Sequence, residues 1–168
     1  ENKAAPDPER LALYTDMLNY GAAAQDFFEY NLLRLANQRL SSAQMAYATQ
    51  SVTTNDVRTK GTGYMGSTLS LKNEILMNFV YQNATINKAS YAVYTFQHHD
   101  GGQVSVTVPA SQFKAYGTAG KYIDVVGMKV ADCNQVITVK LYDANGNVLS
   151  TSTDSVWSYA SRNLSKHE

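Results

Sequence analysis

The chain is poor in the residues on which several whole classes of function depend. It holds one cysteine, Cys133, among 168 residues. A single thiol makes no internal disulfide and no multi-cysteine zinc site. Cys133 lies in MKVADCNQV, just ahead of an expected strand, and reads as a small buried side chain rather than a catalytic thiol. Charge is scarce too, at 17% against a usual ~25%. Fourteen basic residues cancel fourteen acidic ones. No basic surplus is left to neutralise phosphates, so nucleic acid is not an expected partner. No stretch approaches the ~20 apolar residues of a membrane span, so no membrane insertion is expected. No signal peptide is visible. The chain opens with ENKAAPDPER and no methionine, which reads as a piece of a longer protein.

The signatures of catalysis are missing as well. GYMGSTLS lacks the second glycine of a Gly-x-Ser-x-Gly elbow. No phosphate loop or dinucleotide fingerprint appears. Paired carboxylates for glycoside cleavage must face each other across a cleft. Asp100, Asp124 and Asp132 lie in or near expected strands, but nothing in the sequence pairs them. The expectation is a protein that is not an enzyme, with no catalytic residues, no metal and no cofactor.

What is present is a foldable chain. Hydrophobic residues make up 44% and tyrosines number twelve, far from the composition of disorder. The length suits one domain with a sizeable core, residues 1–168. The first part, about 8–50, has helical spacing. Asp7-Pro8 is a start signal, with Asp as the cap and Pro at the first helical position. Leu11, Tyr14, Leu18, Ala22, Gln25 and Phe28 form one stripe; Leu13, Met17, Tyr20, Ala24 and Phe27 form another. Two stripes predict burial over a wide arc, with the helix lying against a sheet. Gly21, Ala22, Ala23 and Ala24 lack bulk and predict close approach of another backbone there. Glycine costs up to ~1 kcal/mol of helix propensity, tolerable where packing offsets it. Further on, Ser41 or Ser42 caps a turn beginning near Ala43, with Met45, Ala46 and Ala48 inward.

The texture changes after about residue 50. STLSLKN, ILMNFVY, YAVYTFQH, QVSVTVP, KYIDVVGM and QVITVKLYD alternate and are rich in β-branched and aromatic residues, the pattern of strands. HHDGGQ and DANGNV are hairpin turns. Six to eight strands over about 60–152, spaced near ten residues, predict an antiparallel sandwich. TDSVWSYASRNL returns to helical spacing, a closing helix over about 154–164. Thr153 or Asp154 caps it, and Val156, Tyr159, Ala160 and Leu164 share a face. The expected fold class is α+β: an antiparallel β-sandwich with a long packed N-terminal helix and a short C-terminal helix.

Two clusters suggest metal and have plainer explanations. His98-His99-Asp100 puts neighbouring histidines on opposite faces of a strand, and His167 is near the C-terminus. Asp143-Ala144-Asn145-Gly146-Asn147 resembles the start of a calcium loop with Asp154 at the twelfth position. The sixth position is Val148, however, and the twelfth is not Glu. The Asn-Gly hairpin accounts for the same letters. Aromatic rings are the remaining resource, since exposed rings stack on sugar faces while amides supply hydrogen bonds. The candidate ligand-binding residues are Trp157, Tyr64, Tyr91 and Tyr94. Tyr94 shares its strand face with Phe96 and reads as core ahead of a ligand contact. Trp157 lies between the apolar and polar sides of the closing helix. Tyr64 lies in GTGYMG, an expected loop.

The runs DMLNYGAAAQDFFEYN, LAN, GSTLSLKNEILMNFVY and VITVKLYDANGNVLSTSTDSVWSYASRNL span nearly the whole chain. Together they resemble a YGAAAQ-type module found in large surface or secreted proteins of gut and rumen Firmicutes. The resemblance implies an extracellular or cell-surface location and a non-catalytic role, and it carries over no functional residue. It implies polysaccharide or neighbouring protein modules as partners. The alternative is a structural spacer or protein–protein interaction module that binds no glycan.

Overall fold

Helix α1 spans Pro8–Phe27 and starts where Asp7-Pro8 predicts. The Asp7 carboxylate accepts the Glu9 N–H at 3.0 Å, and Pro8 opens the first turn. These features belong to a computed structural model that describes residues 7–30, 32–48, 56–71 and 74–164. His167 lies outside the described residues, as does the side chain of Leu164. The chain divides into two compact units, residues 1–53 and 54–168. The division falls where the sequence changes texture, and each unit is described by itself.

In the first unit, α1 ends in a tight cap. The Glu29 N–H reaches the Asp26 carbonyl and the Tyr30 N–H reaches the Gln25 carbonyl, both at 3.1 Å. That pair of bonds is the Schellman arrangement, which needs a left-handed residue. Here Glu29 supplies it, at φ 53°, where glycine is usual. Gly21 earns its place through a close approach. A Cβ there would stand 3.1 Å from the Ala36 Cβ, so the returning chain lies close against the helix. The Ala36 N–H donates to Gln25 Oε1 at 2.7 Å, and Asn37 Nδ2 donates to Asn19 Oδ1 at 2.9 Å.

Helix α2, Ser42–Ala48, is capped by Ser41 and Gln44, each taking the other's backbone N–H. It turns Gln44 and Tyr47 inward, while Met45, Ala46 and Ala48 are exposed, the reverse of the expected face. The Tyr47 hydroxyl donates to Asp16 at 3.1 Å, which fixes that rotation. Nor is α1 buried over a wide arc. Thr15 and Ala22 are buried, with Leu11 and Leu18 half-buried beside them. The stripe of Leu13, Met17, Tyr20 and Phe27 is exposed.

The second unit is the sandwich. Strands β1 (Tyr64–Ser70), β2 (Ile75–Gln82), β5 (Lys114–Tyr116) and β6 (Gly120–Met128) form one antiparallel sheet, ordered β1-β2-β6-β5. Strands β3 (Tyr91–Gln97), β4 (Gln103–Pro109), β7 (Ile137–Tyr142) and β8 (Val148–Asp154) form the other, ordered β4-β3-β7-β8. A single helical turn, α3 (Asn83–Ile86), follows β2. Both glycine turns are hairpins as read, joining β3 to β4 and β7 to β8. Gly101 and Gly146 take φ of 91° and 81° there. Alternation decides the core. Met77, Phe79, Tyr81, Ile123 and Val125 from one sheet meet Ala92, Tyr94, Phe96, Ile137, Val139 and Leu141 from the other. Tyr64 and Ile86 join the same cluster.

Helix α4, Val156–Leu164, closes the unit. Its cap is Ser155, whose hydroxyl accepts the Ser158 N–H at 3.0 Å, rather than Thr153 or Asp154. Asp154 is buried and committed elsewhere: both of its oxygens accept from the Arg162 guanidinium, at 2.9 and 2.6 Å. Thr153 is also taken, bridging to Thr59 beside the β8 edge.

Candidate functional site

One concavity in the sandwich unit is lined mostly by apolar side chains. It has a volume of about 760 Å³ and forms where three segments meet. Leu69 and Ile75 come from the adjoining ends of β1 and β2, and Leu71 and Glu74 from the connection between them. Val130 and Asn134 come from the segment after β6, and Val156, Trp157 and Ala160 from α4. Trp157 is 42% exposed and Val130 81%. Glu74, Asn134 and the indole N–H of Trp157 are the polar points on its wall, so the groove is an apolar trough with few polar groups.

Its walls are fixed by buried polar groups. Asp132 is fully buried. Its carboxylate accepts the N–H groups of Lys129 and His99, each at 2.8 Å, and lies 2.7 Å from His98 Nδ1. Burial alone would raise its pKa. The two amides and the His98 ring outweigh that and hold it at about 2. This clamp ties the Val130–Asn134 wall to the β3–β4 hairpin. The Cys133 carbonyl then accepts the Trp157 N–H at 2.9 Å, tying the same wall to the first turn of α4. The Cys133 thiol is pushed up by burial and then by the Asp132 charge, the opposite of a reactive thiolate.

Beneath α4 lies a second network. Asp154 holds Arg162, and Arg162 also reaches Asp56 at 2.6 Å. Asp56 in turn accepts from the Ser158 hydroxyl at 2.7 Å. The Tyr64 hydroxyl reaches Asp154 at 3.4 Å and lies 2.5 Å from Ser67 Oγ.

The four candidate aromatics do not converge. Trp157 alone lines the groove. Tyr64 opens β1 rather than lying in a loop. It is 8% exposed, with its ring against Phe79 and Tyr81, and burial pushes its hydroxyl pKa up. Tyr94 is 1% exposed and stacks on Phe96 inside the core. Neither ring offers a face to a ligand. Tyr91 is half-buried and stacks on its cross-strand partner Tyr142, with centroids 4.9 Å apart.

Each of the three acids is taken by its own partners. Asp100 pairs with Lys129 at 3.1 Å and Asp124 with Lys114, while Asp132 holds the clamp. Asp143 takes the N–H groups of Asn145 and Asn147 at 2.9 Å and the Asn147 amide at 3.0 Å. The calcium-like letters thus spell a self-satisfied hairpin. Among the described residues, no group of three or more His, Cys, Asp or Glu is placed to hold a metal ion. No helix among them is long and apolar enough to cross a membrane. Sequence reasoning missed Leu71, Val130 and Asn134. The available signal was apolar side chains in connections, where turn residues are the rule.

No family model matches the chain, and no curated protein or solved structure matches it.

Proposed function

We propose that this chain is a non-catalytic, extracellular interaction module of a bacterial surface or secreted protein, and that the groove beside Trp157 seats an apolar side chain of a partner polypeptide. The observation that carries the reading is the groove's lining. A volume of about 760 Å³ falls within the usual range for ligand pockets of ~300–1,000 Å³. Its walls are leucine, isoleucine, valine, alanine, cysteine and tryptophan, and its hydrogen-bonding side chains are few: Glu74, Asn134 and the indole N–H of Trp157. A sugar needs polar partners for several hydroxyls, whereas an apolar side chain needs none. Exposed Glu74 gives the rim one negative charge, which favours a lysine or arginine next to the apolar anchor. The extracellular setting and the absence of catalysis rest on the resemblance and the missing motifs.

A second reading, polysaccharide binding, is favoured by Trp157 itself. Its ring is exposed beside an amide, Asn134, and a carboxylate, Glu74. The two are separable because Trp157 is the chain's only tryptophan, so its fluorescence reports on this groove alone. The test titrates the chain with a library of short peptides carrying one Leu, Phe or Trp in a Lys-containing background, and with a panel of plant, mucin and cell-wall polysaccharides. A shift with apolar peptides, abolished by Val130→Glu, is the expected result. A shift with one glycan, lost on Trp157→Ala binding gels while every peptide is inert, would replace the first reading by the second. Silence from both would sink the groove as a site.

A further inference from the structure

The exposed stripe of α1 has an order that a solvated helix face does not need. Leu13, Met17, Tyr20, Ala24 and Phe27 follow one another at intervals of four, three, four and three. That is the seam spacing of a coiled coil. Leu13, Met17, Tyr20 and Phe27 are 56%, 60%, 78% and 81% exposed. The small residues in the middle of this face leave a hollow of about 400 Å³, lined by Tyr20, Ala23, Ala24, Phe27 and Phe28. The first four sit at i, i+3, i+4 and i+7, which are the four corners of a hole that receives one knob from a facing helix.

We propose that α1 pairs with α1 of a second copy of this chain, antiparallel, with Tyr20 facing Tyr20. In that register Met17 of each copy enters the hollow over Ala23 and Ala24 of the other. Leu13 falls opposite Phe27. Met17 meets small side chains across the seam, while Tyr20 packs on Tyr20 and Leu13 on Phe27. Packing and the helix dipole select the direction: antiparallel helix dipoles attract. Charge does not decide it, since Arg10 pairs with Asp7 beside Glu9 at the start of the helix, and Asp26 and Glu29 lie at its end.

The area is of the right order. Tyr20, Phe27 and Phe28, on or beside the seam, are 60–81% exposed. At ~150–250 Å² for each ring, they offer on the order of 400 Å². Leu13 and Met17 carry the total toward the ~800 Å² that one partner gives to a stable interface. The other face of α1 is already occupied, by Ala36 against Gly21 and by Tyr47 on Asp16. The pairing would therefore form a four-helix assembly from two α1–α2 units.

The test uses the full chain. Sedimentation equilibrium from low to high micromolar is expected to show a monomer–dimer equilibrium. Tyr20→Glu, at an exposed position, is expected to weaken it about thirtyfold or more and leave the circular dichroism intact. Direction is read by oxidation in a Cys133→Ser background. Tyr20→Cys cross-links with itself; Leu13→Cys does not, but cross-links with Phe27→Cys. A monomer at every concentration would overturn the proposal. So would a dimer that Tyr20→Glu does not weaken, or self-cross-linking of Leu13→Cys, the mark of parallel helices.

Discussion

The two units solve the same problem with opposite results. Each is built from segments rich in apolar and aromatic residues. In the sandwich, alternation sends Phe79, Tyr81, Tyr94 and Phe96 into a dry core, where none exceeds a few per cent exposure. In the helical unit, Tyr14, Tyr20, Phe27 and Phe28 stay mostly outside. The difference lies in what each element has to pack against. A strand has two faces, and the facing sheet covers one of them completely. Helix α1 has apolar residues around most of its circumference, and among the described residues its own unit offers only the short α2 and the chain returning through Ala36. Composition therefore says that a helix is apolar, while the number of neighbours decides how much of it is buried.

The sharpest way to break this comparison is to remove the same ring from each unit. Phe79→Ala empties a fully buried site and is expected to cost about 3–5 kcal/mol, as for large-to-small core changes. Phe27→Ala removes an exposed ring and is expected to lie within about 0.5 kcal/mol of neutral in dilute solution. Urea unfolding of both variants checks this. Equal costs would mean that Phe27 is buried in solution and that the contrast between the units is false.

The next effect tests what holds the sandwich's groove wall. Asp132→Asn is expected to cost about 1.5–3 kcal/mol at neutral pH, because charge-assisted hydrogen bonds to two amides and a histidine are weakened. The carboxyl is depressed on folding, from an ordinary 3.8 to about 2. Its contribution is therefore full above the higher value and drains as pH falls through the lower one. The gap between wild type and variant should narrow across that window. A gap that is constant with pH would show that packing, not charge, secures the wall.

How far the sequence foretold these features depends on how local their causes are. Six of the eight strands were legible as segments and the Asn-Gly hairpin implied β8, since period-two alternation and the Asp-Gly-Gly and Asn-Gly turns are local signals. Strand β5 was not, because Lys114–Tyr116 is three residues long and too short to show a period. The cap of α4 was misplaced by one or two residues because Thr153, Asp154 and Ser155 all suit a cap. Only the tertiary fold shows that Arg162 takes Asp154 and a bridge to Thr59 takes Thr153. The same limit governs the site. Trp157 was legible as an amphipathic boundary residue. Tyr94 and Phe96 were correctly seen to share a face, but parity does not say whether that face meets water. The groove joins residues more than eighty positions apart, and no window of sequence contains it.

The smallest expected effect concerns the helical unit alone. Glu29 closes α1 at φ 53°, and the left-handed conformation costs a non-glycine residue roughly 1–2 kcal/mol. Replacing it with glycine removes that strain but widens the unfolded chain's freedom by about 0.5–1 kcal/mol. The net gain expected for Glu29→Gly is therefore about half a kcal/mol. It should appear as slower amide exchange in the last turn of α1, around Ala24 to Phe28, with exchange in β2 and β3 unchanged. Exchange that quickened instead would mean that the Glu29 side chain makes a stabilising interaction worth more than the strain. Exchange that slowed equally in β2 would mean that the two units unfold as one, and the contrast between them would then be one of burial but not of stability.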